Sequence, residues 1–272
     1  MIKKLYPGGK EKAFNMTYDD GIVQDIEFIE MLNKYGIKAT FNLNSGLMFQ
    51  EFAWFHDCGM VVKRLSPERA KDLYEGHEIA SHTLSHPYMD SLSAEQILHE
   101  MVEDRDNLET MFDTKVLGFA VPFDYYSQLI EDCVRIAGFD YARISETSLS
   151  YKPCVDYYRW KAGIFHLSPE LESFVQGFVD TDEELALCQI VGHSYDLDAV
   201  HGWDRMEKLL DLVAAQDNIW FATNIELVKY LQAIRKADIT GDHIENPSDM
   251  DLWYNIDGKV TVVHSGECID LK

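Results

Sequence analysis

Short apolar runs alternate with amphipathic helical segments along most of this chain, and this alternation restricts its fold more than any other feature. AFNMTY, HEIAS and LALCQIVGHS have the length and composition of strands. SAEQILHEMVEDRDNLETMF places apolar residues at helical spacing behind a capping Ser93. Repeated strand–helix–strand units favour parallel strands joined by crossover helices. The sequence therefore predicts an α/β fold, as a closed barrel or an open doubly wound sheet.

The pattern changes after about Ala237. TGDHIENPSDMD is polar and rich in turn-forming residues, and LWYNIDGKVTVVHSG has two β-rich runs about Asp257-Gly258. We therefore expect residues 1–236 to form the α/β unit and residues 237–272 to form a small β-hairpin extension packed on it.

Charge and cysteine usage narrow the possible partners and the compartment. The 24 basic residues are outnumbered by 47 acidic ones, so a nucleic acid is not expected as a partner. The five cysteines lie far apart without CxxC spacing, which indicates reduced thiols. The first residues lack the apolar stretch of a signal peptide, and no apolar run approaches the length of a membrane span. We expect a cytoplasmic protein with no membrane partner.

Polar motifs follow the ends of several predicted strands, at the edge where α/β folds assemble their active sites. These motifs are TYDDG, SHTLSH, VPFD and GHSYD. In SHTLSH, one helical turn would bring His82 and His86 to the same side, a spacing that suits a divalent metal but also arises by chance. The other histidines lack this context and are expected on the surface or in the core; they include His56, His77, His99 and His166.

TYDDG adds the adjacent carboxylates of Asp19 and Asp20, followed by a glycine that permits a tight turn. An ordinary Asp-Asp-Gly turn would have the same sequence. Two histidines and one carboxylate that leave a coordination position for water form a catalytic type of metal site, because a closed structural site has no room for a reactant.

Two of these motifs together resemble the polysaccharide deacetylases, the NodB-homology or carbohydrate esterase family 4 proteins. The family's first motif, TFDDG, matches Thr17 to Gly21, and its second, H-S/T-x-x-S-H, matches His82 to His86. The resemblance extends from about Phe14 to about Leu231. It implies a distorted (β/α) barrel of seven or eight strands.

The resemblance also implies roles for individual residues. Asp20, His82 and His86 would bind a divalent metal, with zinc expected first and cobalt or nickel as alternatives. Asp19 would be the general base, and a backbone N–H near Phe123 would hold the oxyanion.

His193 is the expected general acid, although a histidine in GHSYD could instead cap a loop by a hydrogen bond. Asp196 and Asp198 would either orient this imidazole or cap the next helix. We also expect a set of residues to contact the substrate, and Trp160 among them could equally be plain core. This set comprises Tyr18, Pro122, Phe123, Trp160 and Tyr195.

The third and fourth motifs depart from the family pattern. Ala120 stands where an arginine usually pairs with the catalytic base, and Arg159 stands where an Asp usually precedes the tryptophan. We therefore hypothesise that Arg159 approaches Asp19 and replaces the missing guanidinium, because a buried carboxylate needs its charge balanced. The alternative is that Arg159 is a surface residue beside a core Trp160.

The activity implied is removal of an acetyl group from an N- or O-acetylated carbohydrate by metal-activated water. Two alternatives stay open. One is hydrolysis of another non-peptide C–N bond in a small molecule, and the other is an inactive domain that binds a sugar or a metal.

Overall fold

A computed structural model of the protein describes residues 1–123 and 125–271. The strands in chain order are β1 (Ile2–Leu5), β2 (Lys12–Asp19), β3 (Thr40–Leu43), β4 (Ala53–Phe55), β5 (Val61–Lys63), β6 (Glu78–Ser81), β7 (Gly118–Ala120), β8 (Tyr141–Thr147), β9 (Trp160–Ala162), β10 (Ile164–Phe165), β11 (Ala186–Gly192), β12 (Ile219–Phe221), β13 (Asp238–Ile239), β14 (His243–Glu245), β15 (Leu252–Ile256), β16 (Lys259–Val263) and β17 (Cys268–Asp270).

Helices follow most of the barrel strands. They are α1 (Asp25–Lys34), α2 (Ser45–Phe49), α3 (Pro67–Ala70), α4 (Ala94–Phe112), α5 (Gln128–Ile136), α6 (Leu171–Asp180), α7 (Ser194–Ala199), α8 (Trp203–Ala214) and α9 (Asn224–Lys236). Among the described residues, none of these helices combines the length and the apolarity needed to cross a bilayer.

The central sheet is parallel and runs in the order β10-β11-β2-β3-β6-β7-β8-β9. Gly163 separates β9 from β10, so one bent segment pairs with β8 at its start and with β11 at its end. A side chain at Gly163 would put its Cβ 1.8 Å from the carbonyl oxygen of Gln189, so the bend requires glycine. The sheet is therefore nearly closed, and the predicted (β/α) barrel is confirmed.

Strand β2 has different neighbours along its length, which distorts the barrel. Its first half, at Lys12 to Phe14, pairs with β12, whereas its last residues, Thr17 to Asp19, pair with β3 on the same side. The end of β2 that carries the Asp-Asp motif is thus held between β3 and β11.

The barrel surface and the helices form one apolar core, to which Phe28, Met101 and Leu108 contribute. Helix α4 begins as predicted: Ser93 Oγ accepts a hydrogen bond from the Gln96 N–H, and the Gln96 side chain accepts one from the Ser93 N–H. Helix α6 had no counterpart in the prediction. It contains Gly177, where an added Cβ would lie 2.4 Å from the Tyr151 hydroxyl, so close packing there excludes a better helix former.

The barrel interior contains buried polar side chains that pair with one another. Thr40 Oγ1 donates to Glu78 Oε2 over 2.8 Å, and Gln189 Nε2 donates to Asn15 Oδ1 over 2.8 Å. Paired in this way, buried polar groups hold a fixed arrangement without a large desolvation cost. These paired polar side chains in the barrel interior help to fix the strands whose ends form the candidate site.

The C-terminal hairpin of β15 and β16 turns at Asp257 and Gly258, as predicted, and both residues have positive φ angles, 50° and 89°. The sheet that contains this hairpin also includes an N-terminal strand, because β1 pairs antiparallel with β15. β13, β14 and β17 form a second small antiparallel sheet. A second apolar cluster, which includes Tyr6, Leu231 and Tyr254, packs this extension against α9.

All five cysteines are free thiols, as expected, and Cys133 and Cys188 are buried.

Candidate active site

The carboxyl ends of the barrel strands surround a cavity of about 460 Å³. The motifs at the ends of β2, β6 and β11 meet here, together with Arg143, Ser145 and Thr147 of β8. The charged and titratable residues that line the cavity are Asp19, Asp20, His82, His86, Arg143 and His193.

Asp20, His82 and His86 converge on one point. One potential ligand atom from each lies within 4.8 Å of the others. We had predicted that one helical turn would bring the two imidazoles to the same side, but His82 and His86 do not lie on a helix. The segment after β6 is irregular, with positive φ angles of 71° at Thr83 and 55° at His86. Asp20 also has a positive φ, 91°, so the two ligand-bearing positions Asp20 and His86 both have left-handed backbone and present their side chains to the cavity.

The donor atoms of this triad fit a divalent metal ion. His82 Nδ1 donates to the Ala120 carbonyl oxygen over 2.8 Å, which leaves Nε2 free to act as a ligand. Burial lowers the pKa of His82 to about 4, so its imidazole is neutral. Asp20 Oδ1 is buried without a hydrogen-bond partner among the described residues, and it lies 3.7 Å from His86 Nε2.

Asp20 is kept ionised by its neighbours. Burial alone would raise its pKa, but Arg64 and the nearby histidines hold the pKa well below its ordinary range. The Arg64 Nη1 lies 2.8 Å from Asp20 Oδ1, although it donates its hydrogen bond to the Asp20 backbone carbonyl. Two neutral imidazoles and one ionised carboxylate are the ligands that zinc, cobalt or nickel would accept.

Asp19 lies beside the triad and is paired with Arg143, not with Arg159. The Arg143 Nη2 is 2.5 Å from Asp19 Oδ1 and 2.6 Å from Oδ2, and Asn42 Nδ2 donates to Oδ1 over 2.7 Å. Burial would raise the pKa of Asp19, but Arg143 and His82 lower it, so the carboxylate is ionised. Its Oδ2 lies 4.0 Å from His82 Nε2, on the side that faces the triad.

The hypothesis about Arg159 is therefore wrong. Its Nε contacts Glu131 Oε2 over 2.7 Å, and its guanidinium lies over the Tyr126 ring with nearly half of the side chain exposed. The register explains the substitution: Ala120 on β7 pairs with Arg143 on β8. Paired residues of adjacent strands point to the same face of a sheet, so Arg143 reaches the place that an arginine at position 120 would occupy.

His193 follows β11, and its Nδ1 lies 3.0 Å from Asp196 Oδ2. Burial lowers the pKa of His193, but the hydrogen bond to Asp196 and the charges of Asp20 and Asp19 outweigh this effect and raise it to about 9. Asp198 does not take part, because its carboxylate accepts a hydrogen bond from Trp203 Nε1 over 2.7 Å. Asp196 is thus the partner that orients the imidazole.

Two of the predicted substrate-contacting residues line the cavity, namely Phe123 and Tyr195. Tyr195 stacks on His193 with ring centroids 5.0 Å apart. The Phe123 ring lies 4.6 Å from the His86 ring and stacks on Tyr88 at 3.8 Å. These rings give the mouth of the cavity an aromatic rim.

The other three residues predicted to contact substrate, Tyr18, Trp160 and Pro122, do not line the cavity. Tyr18 is fully buried and stacks on Phe28, because it precedes Asp19 on a strand and so points to the opposite face of the sheet. Trp160 is 3% exposed and packs against Tyr141 in the second apolar cluster. Pro122 is buried, while its neighbour Phe123 reaches the cavity.

Sequence reasoning missed three residues at or next to the site. They are Arg64, which contacts Asp20, and Arg143 and His166. Arg143 lies inside the strand-like run FDYARI, where nothing in the sequence distinguishes it. His166 directly follows β10, and its Nε2 is 3.2 Å from Asp196 Oδ2. Its position just after a strand, as for His82 and His193, was the available signal.

The family described as "Polysaccharide deacetylase" matches residues 7–142, which make up half of the chain. The chain belongs to the polysaccharide deacetylase family. A chitin deacetylase from Pestalotiopsis sp is 36% identical over 107 residues, covering 39% of this chain and 30% of that protein. The chain spans between 30% and 62% of the length of three curated relatives that it matches.

Solved structures show the same fold at low identity. The Xyl-CE4 domain of a multidomain xylanase from the hindgut metagenome of Trinervitermes trinervoides is 18% identical with a TM-score of 0.54, covering 82% of this chain and 92% of that one. A family 4 acetyl xylan esterase from Clostridium thermocellum, in complex with a cobalt ion, is 18% identical with a TM-score of 0.52, covering 79% and 89%.

Proposed function

We propose that this polysaccharide deacetylase family member is a metal-dependent hydrolase that removes an acetyl group from an N- or O-acetylated carbohydrate. The observation that carries the proposal is the meeting, in one cavity, of an Asp-His-His ligand set, an ionised carboxylate outside that set and a protonated imidazole. Hydrolysis of an acetyl group by metal-activated water uses a metal, a base and an acid together.

Asp20, His82 and His86 would hold the metal. When bound, a divalent ion supplies positive charge that polarises a water molecule and the acetyl carbonyl. Zinc is our first choice for this donor set, with cobalt or nickel as alternatives, and the related esterase named above is described with cobalt.

Asp19 is proposed as the general base. Its Oδ1 accepts from Asn42, and Arg143 contacts both of its oxygens, so the carboxylate cannot rotate freely. Oδ2 faces the ligand set and would take a proton from the attacking water. Arg143 keeps the carboxylate ionised before this step and balances its charge in a buried position.

His193 is proposed as the general acid. Because the pKa of His193 is raised to about 9, the imidazole carries a proton at neutral pH. Nδ1 is bound to Asp196, so Nε2 is the atom that would donate a proton to the leaving amine or alcohol. The backbone N–H of Phe123, a residue with a left-handed φ of 57°, is the proposed oxyanion donor.

The changed third and fourth motifs had left an inactive domain as an alternative. The contact of Arg143 with Asp19 and that of Asp196 with His193 support catalysis instead. The aromatic rim of Phe123, Tyr88 and Tyr195 suits the apolar face of a sugar ring. The cytoplasmic location stays a prediction.

Acetate release tests the proposal. Chelated protein reloaded with zinc or cobalt is incubated with N-acetylglucosamine oligomers and with acetylated xylo-oligosaccharides, and His82→Ala protein serves as the matched control. We expect metal-dependent acetate from at least one substrate and none from the control. Absence of acetate with every substrate, from protein that has bound metal, would refute the proposed activity.

A further inference from the structure

A chain of buried hydrogen bonds lies behind His193, on the side away from the cavity. The Asp196 Oδ2 lies 3.0 Å from His193 Nδ1 and 3.2 Å from His166 Nε2. The Tyr18 hydroxyl lies 2.9 Å from His166 Nδ1. One carboxylate oxygen is therefore shared by two imidazoles, and the second imidazole is held by a phenol.

The chemistry of these groups allows one arrangement of protons. A carboxylate accepts only, so both His193 Nδ1 and His166 Nε2 must carry protons toward Asp196. Burial lowers the pKa of His166, which leaves its Nδ1 bare to accept from the Tyr18 hydroxyl. Every hydrogen bond in the chain then has one donor and one acceptor, and the proton of His193 that faces the cavity is the one on Nε2.

Packing prevents His166 from leaving this arrangement. Its side chain is fully buried. Gly192 lies against the ring so closely that an added Cβ would be 2.5 Å from it. Tyr18 is itself fixed by stacking on Phe28 at 4.1 Å between ring centroids. The carboxylate of Asp196 thus meets a rigid donor on one side and the more accessible His193 on the other.

We propose that His166, held by Tyr18, is a positioning residue for the general acid: it fixes the Asp196 carboxylate so that His193 Nε2–H points into the cavity. This inference rests on the proposed function. His166 does not touch the substrate in this scheme. It acts by limiting the orientations of Asp196, and through Asp196 those of His193.

The reaction shows where such positioning matters. Water forms the new C–O bond and gives a proton to Asp19, the bond from the acetyl carbon to the sugar nitrogen or oxygen breaks, and the departing atom takes the proton from His193 Nε2. A sugar amine or alkoxide needs that proton in order to leave. A 4-nitrophenolate leaves without it, so an aryl acetate reports on the metal and Asp19 alone.

The test compares leaving groups. His166→Leu removes the donor, His166→Gln retains an N–H that can reach Asp196, and Tyr18→Phe removes only the phenol hydroxyl. His77→Leu is the matched control, because His77 is another largely buried histidine, which accepts from the Ala39 N–H away from this chain. Each variant is assayed on the sugar substrate of the wild type and on 4-nitrophenyl acetate, after its melting temperature is checked.

We expect His166→Leu to lose about 10- to 100-fold in kcat/KM on the sugar substrate and less than about 3-fold on the aryl acetate. His166→Gln should recover most of the loss, Tyr18→Phe should show a smaller loss with the same selectivity, and His77→Leu should change neither rate. Equal losses on both substrates, or no loss on either, would overturn the inference.

A proton NMR measurement separates this inference from the proposed function. The His193 Nδ1–H bound to a carboxylate should give a downfield resonance, which is identified by its loss in His193→Ala. We expect it in the wild type and in His166→Gln, and we expect exchange broadening in His166→Leu. If the wild type releases no acetate but this pattern is seen, the proposed activity fails while the positioning stands; an unchanged resonance in His166→Leu overturns the positioning.

Discussion

The two sides of the cavity are built differently. On the side of the proposed metal site, called the metal side, the candidate ligands come from two short contiguous motifs, and the backbone is left-handed at Asp20 and His86. On the proton-transfer side, Asp19 and His193 depend on Arg143 and Asp196, one of which lies far away in the chain. The candidate ligands therefore lie within two short segments, whereas the partner of Asp19 is brought near it by strand register.

The difference has a physical cause. A metal needs lone pairs at fixed points, and a change of strand would displace them. A buried carboxylate needs a nearby positive charge, and a long guanidinium can supply it from more than one strand. The partner of Asp19 can therefore lie on β8 instead of β7 while the charge balance is kept. A charged partner of this kind can therefore be supplied by either strand, whereas a metal ligand must keep its position.

The largest effect is expected on the metal side. His82→Ala removes one ligand, and we expect loss of bound metal together with a fall of at least about 1,000-fold in acetate release, because the attacking water is no longer activated. Metal content is measured by elemental analysis of the dialysed protein. Near-normal turnover by a metal-free His82→Ala protein would contradict the distinction between the two sides.

Asp19→Asn tests the base without removing a ligand. Loss of the proton acceptor should lower kcat by about 100- to 10,000-fold, and the metal content should stay near that of the wild type. If the metal is lost as well, Asp19 belongs to the ligand set and the two sides are not separate.

Arg143→Met should lower kcat/KM by about 10- to 100-fold, because Asp19 loses the cation that holds it ionised and in place. Arg159→Met is the matched control and should stay within about 2-fold of the wild type, since this arginine pairs with Glu131. The measurement is the steady-state kcat/KM of the two variants and the wild type on one acetylated substrate. A larger loss in Arg159→Met than in Arg143→Met would reverse our assignment.

Moving the arginine back would sharpen the comparison. In Ala120→Arg combined with Arg143→Ala, the new guanidinium points to the same sheet face as the old one. We expect partial recovery, about 3- to 10-fold above Arg143→Ala alone. The measurement is kcat/KM for the single and the double variant, and no recovery would mean that the position of the charge matters as well as its presence.

The finest test is the pH dependence, which Asp196→Asn should change. Since the pKa of His193 is raised to about 9, the acid keeps its proton until the pH passes that value, and activity on a sugar substrate should fall above it. Without the Asp196 carboxylate the pKa of His193 drops, so the alkaline limb should move down by about one pH unit or more. The pH dependence of kcat/KM measures this, and an unshifted limb contradicts it.

The strand–helix alternation predicted an α/β fold, and the resemblance carried by two local motifs implied the barrel and the set of Asp20, His82 and His86. Strand ends were readable from apolar runs, and the motifs followed them. Arg143 was not predictable, since its pairing with Asp19 depends on the register between β7 and β8. Tyr18 was predictable in principle: strand alternation excludes it from the cavity that Asp19 faces. The irregular backbone of Thr83 and His86 has no sequence signal.

The pairing of β1 with β15 has a consequence for the order of folding. Leu5 lies opposite Trp253, so β1 pairs with a strand that is far away in the sequence. Contacts of such sequence separation carry a high loop-closure entropy and slow the last steps of assembly. A circular permutant that joins the two ends and opens a loop elsewhere would turn this pairing into a local one, and it should refold faster than the natural order of the chain.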